Sequence, residues 1–70
     1  MNRVKELRKK KGMTQLTVQA LTGVDQGDLS KIENGLRNLT AKCAVRIAKV
    51  LDTNEEYLLG RSDDPAPRPD

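Results

Sequence analysis

Apolar residues recur along most of the chain at spacings of three or four, which is the period of one face of an α-helix. Glycines interrupt this pattern and separate it into short segments. No segment shows the alternation of apolar and polar residues that is typical of a half-buried strand. The sequence therefore predicts an all-α fold built from short helices.

Three helices are predicted in the first half of the chain, and each has a recognisable start or stop. The first covers about residues 2–11. Thr14 is a favoured N-cap for the second helix and Asp25 for the third, which ends near Gly35. The apolar residues expected to face the core here are Val4, Leu7, Val18, Leu21, Leu29 and Ile32.

The second half of the chain predicts two more helices and a tail. The fourth helix covers about residues 40–51, and a capping box of Thr53 and Glu56 starts the fifth. Three closely spaced prolines preclude a further helix, so we expect residues 1–60 to form one domain and residues 61–70 a flexible, extended, acidic tail. The stripe expected on the fourth helix is Ala41, Ala44, Ile47, Ala48 and Leu51.

Composition narrows the possible chemistry. The chain has no histidine and one cysteine, Cys43, so it lacks the side chains of the common nucleophilic triads, of ordinary zinc or iron sites and of an internal disulfide. We therefore expect no enzyme, no metal, no cofactor and, with so small a core, no small-molecule pocket. Neither a membrane span nor a signal peptide is recognisable, so a cytoplasmic protein is predicted. Cys43 is predicted to pack against the core, with redox sensing as the alternative.

Charge is distributed unevenly along the chain. Residues 1–11 contain six Lys or Arg and one Glu, and residues 36–51 contain four Lys or Arg and no acid. Residues 52–70 reverse this balance with six acidic residues and two arginines. A basic body with an acidic end favours a polyanionic partner, although solvated helix faces would give the same charge pattern.

The second and third predicted helices are joined by Gly23, Val24 and Asp25. Glycine permits a tight left-handed turn and Val24 can fill the space between the helices, so the pair forms a helix-turn-helix. Such a unit can place its second helix in the major groove of DNA. The spacing alone leaves open an ordinary helical hairpin within a bundle.

Three segments carry a more specific signal: Met13-Thr14-Gln15, Thr22-Gly23-Val24-Asp25-Gln26 and Leu29-Ser30-Lys31-Ile32-Glu33-Asn34-Gly35. Together they make the chain resemble the phage repressor and Cro-like helix-turn-helix family, the XRE type, over about residues 2–60. The resemblance implies a compact five-helix DNA-binding domain, usually a homodimer, that regulates transcription.

The resemblance also implies roles for residues at matching positions. Gln15 is implied to contact phosphate, Gln26 suits adenine, and Lys31 suits guanine or phosphate. Arg8 is implied to pair with Glu33 and thereby to be oriented toward phosphate. For each of these polar residues a solvated side chain without a contact is the alternative. The implied DNA contacts are Arg8, Gln15, Gln26, Gly27, Ser30, Lys31, Arg37 and Asn38, with Arg37 at phosphate or the minor groove. The implied dimer contacts are Val50, Tyr57 and Leu58, and for Tyr57 and Leu58 burial in the core is the alternative.

Three residues depart from the family's pattern. Gln19 stands where a small residue is usual, so we expect it to bend outward or to widen the helix crossing. Gly27 offers no side chain to a base, and Asp28 brings a carboxylate near phosphates. Asp25 and Asp28 are explained as caps at the N-terminus of the third helix, with acceptance of a hydrogen bond from cytosine as the alternative.

Two functions follow from these observations. The leading one is a sequence-specific, repressor-like regulator of transcription that binds double-stranded DNA as a dimer. The rival is a protein-interaction module, such as an antitoxin or an accessory factor, built on the same scaffold with weakened base reading.

Overall fold

The computed structural model describes residues 2–68, and within this range the chain forms five α-helices and no strand. They are α1 (Val4–Lys10), α2 (Gln15–Thr22), α3 (Gln26–Glu33), α4 (Ala41–Val50) and α5 (Glu55–Leu58). The predicted all-α, five-helix fold is confirmed. None of the helices in residues 2–68 has the length and apolar character needed to cross a membrane.

Side-chain caps fix where the helices begin. The Thr14 side chain accepts a hydrogen bond from the Thr17 amide, and the Asp25 carboxylate accepts from the amides of Gly27 and Asp28. Each cap supplies an acceptor for first-turn N–H groups that have no partner inside the helix. The predicted starts of α2 and α3 are confirmed, and Thr40 caps α4 in the same way.

The start of α5 differs from the prediction. Asn54, not Thr53, is the N-cap, and its Oδ1 accepts from the Tyr57 amide at 2.9 Å. The Thr53 hydroxyl instead donates to the carbonyl of Pro65 at 2.7 Å. The predicted capping box is therefore wrong: the helix begins one residue later, and Asn54 supplies the acceptor for the first turn.

The turn between α2 and α3 has the predicted geometry. Gly23 ends α2 with φ 78°, in the left-handed region, and its amide donates to the Gln19 carbonyl at 2.8 Å. Val24 is 6 % exposed and packs into the core between the two helices. The two helices thus form a helix-turn-helix in which Val24 is buried at the turn.

The core is aliphatic, and every helix contributes to it. The largest fully buried side chains among the described residues are Val4, Val18, Leu29, Ile47, Leu51 and Leu58. Cys43 is half-buried and packs against this cluster, as predicted.

Two residues predicted in the core are exposed instead. Leu21 is 60 % exposed, and Thr22, one turn after Val18, takes the buried position. The Thr22 hydroxyl donates to the Val18 carbonyl at 2.7 Å and accepts from the Val24 amide at 3.1 Å, so the polar group is satisfied inside the core. Ala41 is exposed because the buried stripe of α4 begins one turn later.

The C-terminal segment lies against the domain. The Asn54 Nδ2 donates to the carbonyls of Asp64 and Ala66 at 2.8 and 2.7 Å, and the Arg3 Nη1 donates to the Ser62 carbonyl at 2.6 Å. The sequence predicts a flexible tail here, whereas the structure places the carbonyls of residues 62, 64, 65 and 66 in hydrogen bonds with the domain. The boundary at residue 60 stays a prediction.

Candidate nucleic-acid interface

The two sides of α3 differ in character. Leu29 and Ile32 point into the core, with 0 % and 3 % of their surfaces exposed. The opposite side of the helix carries the residues implied to face bases, and each retains accessible surface. Gly27 and Lys31 are exposed, while Gln26 and Ser30 are half-buried. The fold therefore leaves this side of α3 open to solvent.

A buried ion pair ties α1 to the end of α3. The Glu33 carboxylate accepts hydrogen bonds from Arg8 Nε at 2.7 Å and Arg8 Nη2 at 2.9 Å, and the two side chains are 1 % and 10 % exposed. The Arg8 Nη1 donates to the Met13 carbonyl at 2.9 Å. The pair implied by the resemblance is thus present, and the implied contact of Arg8 with phosphate stays a prediction, since its buried guanidinium binds Glu33 and Met13.

The electrostatics of Glu33 follow from these contacts. Burial acts to raise the pKa of its carboxyl group, because the charged form loses hydration. Hydrogen bonds from Arg8 and Gln15, together with the positive charges of Arg8 and Lys5, outweigh burial and leave the pKa below its ordinary value. Glu33 is therefore a stable, ionised acceptor at neutral pH.

Gln15 connects this ion pair to the start of α3. Its Nε2 donates to Glu33 Oε1 at 3.1 Å, and its Oε1 accepts from Gln26 Nε2 at 2.7 Å. The resulting relay runs from Arg8 through Glu33 and Gln15 to Gln26. Because each member has a hydrogen-bond partner, the relay orients the side-chain amide of Gln26. The spacing of these residues along the chain does not reveal this connection.

Gln19 also contacts Gln26, so the expected outward bend of its side chain is not seen, while a wider helix crossing stays a prediction. The Gln19 side chain is half-buried and lies at the junction of α2 and α3, where its Oε1 accepts a hydrogen bond from the backbone amide of Gln26 at 2.7 Å. The long side chain fits because the unpaired first-turn amide of α3 gives its polar end a donor. The departure from a small residue at this position was the only signal in the sequence.

An ion pair links α3 to the segment that follows it. The Arg37 Nη1 donates to Asp28 Oδ1 at 2.6 Å, and the two side chains are 54 % and 40 % exposed. Asp25 caps the helix as predicted, but the Asp28 carboxylate pairs with Arg37 instead of capping. The pair neutralises the carboxylate on α3, and the neighbouring Asn38 is exposed.

The residues implied to form a dimer interface are not all accessible. Leu58 has 0 % of its surface exposed and belongs to the protomer's own core, so its assignment to a dimer surface is corrected. Val50 and Tyr57 are half-buried and retain accessible surface. The Tyr57 ring is covered in part by the Arg3 guanidinium, which lies 4.1 Å from the ring centroid.

Two short helices joined by a glycine turn, the second with an open polar side, define a helix-turn-helix protein of the DNA-binding class. A family model described as Helix-turn-helix matches residues 4–58. The chain belongs to this family, in its phage repressor and Cro-like, XRE type.

The family places the protein among DNA-binding regulatory domains, which are not typically enzymes. Comparisons with curated proteins and with solved structures found no match.

Proposed function

We propose that the protein is a sequence-specific repressor of transcription that binds operator DNA as a dimer, with α3 in the major groove. This proposal rests on the open side of α3. Gly27 and Lys31 are exposed there, and the amide of Gln26 is oriented by side chains behind it. A helix that is free to enter a groove and carries an oriented amide is suited to reading base edges.

Each residue on this side offers a different contact. One N–H of Gln26 is committed to Gln15, which leaves the other N–H and Oε1 to pair with adenine. Lys31 can donate to guanine or to a phosphate, and Ser30 can donate or accept. Gly27 has no side chain, so it allows the backbone of α3 to approach the bases closely.

The phosphate contacts flank α3. The second N–H of Gln15 faces no partner within the relay, and Arg37 retains donors beyond the Nη1 that binds Asp28. Asn38 adds an exposed amide in the same segment. In a dimer, two such units would contact half-sites about one helical turn, roughly 34 Å, apart. Val50 and Tyr57 are the candidates for the dimer contact.

Selection of bound duplexes from a random pool tests this function directly. We expect a palindromic consensus whose half-sites lie about 10 base pairs apart. Binding to the selected duplex should weaken steeply as salt is raised, because phosphate contacts release counterions. Absence of binding at low salt, or affinity that is independent of salt, would contradict the proposal.

The rival function, a protein-interaction module, is favoured by two features of α3. Gly27 offers no side chain to a base, and Asp28 places a carboxylate, 40 % exposed, on a helix that would lie near phosphates. The double variant Gln26→Ala, Lys31→Ala separates the two functions, with Lys42→Ala on α4 as a charge-matched control. If the protein is a DNA-binding regulator, the double variant loses operator affinity and Lys42→Ala keeps it. Unchanged affinity in the double variant would favour the rival.

A further inference from the structure

The first turn of α3 is held by side chains from outside the helix. The Asp25 carboxylate accepts from the amides of Gly27 and Asp28 at 2.9 and 3.4 Å. The Gln26 amide, the first of the helix, donates to Gln19 Oε1 at 2.7 Å. Among these contacts, Gln19 Oε1 is the acceptor for the backbone amide of Gln26. Gln19 is therefore the residue of α2 that anchors the backbone of Gln26.

Gln19 and Gln15 act on the same residue from the same helix. They lie four positions apart and thus share one face of α2. Gln15 Oε1 accepts from the Gln26 side-chain Nε2, while Gln19 Oε1 accepts from the Gln26 backbone N. Two atoms of Gln26 are fixed relative to α2, one on its backbone and one at the end of its side chain.

This double attachment has a consequence for base choice. The Nε2 of Gln26 has two hydrogens, and one is committed to Gln15. The remaining hydrogen and Oε1 form one donor and one acceptor, which match N7 and the N6 amino group of adenine. Guanine presents two acceptors, N7 and O6, and would need both hydrogens. The discrimination holds only while the backbone of Gln26 stays in place.

We propose that Gln19 is a positioning residue that sets the preference of Gln26 for adenine over guanine by fixing the backbone of α3 against α2. This inference rests on the proposed function, because it assumes that Gln26 meets a base. Gln19 itself does not touch DNA in this scheme. It acts through Gln26, so its removal should change selectivity more than it changes overall affinity.

The test uses Gln19→Met, which keeps the length of the side chain and removes its acceptor. The Gln26→Ala variant first identifies the base pair read by Gln26, as the position at which the preference for A·T disappears. At that position we expect Gln19→Met to reduce the preference for A·T over G·C about tenfold, within the range that one bidentate contact supplies. Affinity for unrelated duplex and its salt dependence should stay unchanged, because no charge is altered.

Amide hydrogen exchange provides a second reading of the same variant. In Gln19→Met the Gln26 amide should exchange faster, while the Leu29 amide, which donates to the Asp25 carbonyl at 2.8 Å, should not. Leu16→Met is the matched control, since Leu16 also lies on α2 and is 64 % exposed. It should leave both the base preference and the exchange rates unchanged.

The outcomes separate the failure of this inference from the failure of the proposed function. Wild-type base preference in Gln19→Met would overturn the positioning role of Gln19. Wild-type preference in Gln26→Ala would overturn the assignment of Gln26 itself. Gln19→Ala serves as a second variant if Gln19→Met does not fold. Loss of the helical circular dichroism signal in both variants would make Gln19 a folding residue and also overturn the inference.

Discussion

Replacing Arg8 with Met tests the energetic role of the buried ion pair. The substitution keeps an apolar side chain of similar reach and removes the cation. The Glu33 side chain, 1 % exposed, then loses the hydrogen bonds from Arg8 Nε and Nη2, and keeps the one from Gln15. A buried carboxylate is left without its counter-ion, which is far more costly than loss of a surface pair.

The magnitude follows from this burial. Removing one partner of a buried ion pair costs about 3 to 5 kcal/mol, and we take about 3 kcal/mol because Gln15 still donates to Glu33. In a domain of this size each kcal/mol lowers Tm by about 4 to 8 °C, so we expect Arg8→Met to melt roughly 12 to 24 °C below the wild type at pH 7.

The pH dependence provides the sharper reading. The folded-state pKa of Glu33 is depressed in the wild type, so the pair's contribution is complete above the unfolded value of about 4.3 and is lost as the pH falls through the folded pKa. In Arg8→Met the largest influence that lowers this pKa is gone, and burial raises it. The variant then takes up a proton on folding. The stability gap should therefore narrow between pH 7 and pH 4.

Urea and thermal unfolding followed by circular dichroism, at pH 7 and pH 4, measure the effect. Arg37→Met is the matched control, because its ion pair with Asp28 is as short, at 2.6 Å, but half-exposed. We expect Arg37→Met to cost less than about 1 kcal/mol. The reasoning is refuted if the two variants are equally stable, or if the cost of Arg8→Met is the same at both pH values.

Three further substitutions test other contacts, each by urea unfolding. Asn54→Ala removes the cap of α5 and two hydrogen bonds to the C-terminal segment, so it should cost about 2 kcal/mol, whereas Asn38→Ala at an exposed site should cost under about 0.5 kcal/mol. Equal costs would contradict the docking of that segment. Gly23→Ala should cost about 1 kcal/mol from its φ of 78° alone, since space for a methyl group exists, and no cost would contradict the left-handed turn. Thr22→Val leaves the Val24 amide buried without its acceptor, so we expect a loss of about 1 to 2 kcal/mol, and a neutral effect would show that water replaces the hydroxyl.

The parts of the structure that could be predicted from the sequence are set by local chemistry. Thr14 and Asp25 mark helix starts because each cap needs only an acceptor two or three residues before a free amide. Gly23 marks a turn because few other residues adopt a positive φ without strain. The open side of α3 follows from the helical period together with the buried positions of Leu29 and Ile32.

The contacts that were missed join residues whose proximity depends on how the helices pack. Thr53 fits the spacing of a capping box, but the helix starts one residue later at Asn54, and the Thr53 hydroxyl donates to a carbonyl twelve residues further along the chain. The sequence could flag Gln19 as unusual but could not show that the Gln26 amide lies within its reach. Side chains with several polar atoms have many potential partners, so the choice among them is made by tertiary geometry.

The contacts of Arg3 bring the beginning and the end of the folded unit side by side. Its Nη1 donates to the carbonyls of both Tyr57 and Ser62, at 3.2 and 2.6 Å. A short glycine bridge could join these neighbourhoods while the chain is opened at the exposed turn around Gly12. Such a circular permutant would begin with α2 and α3 and finish with α1. Its ability to fold would show that the arrangement is specified by contacts and not by the order in which the helices are synthesised.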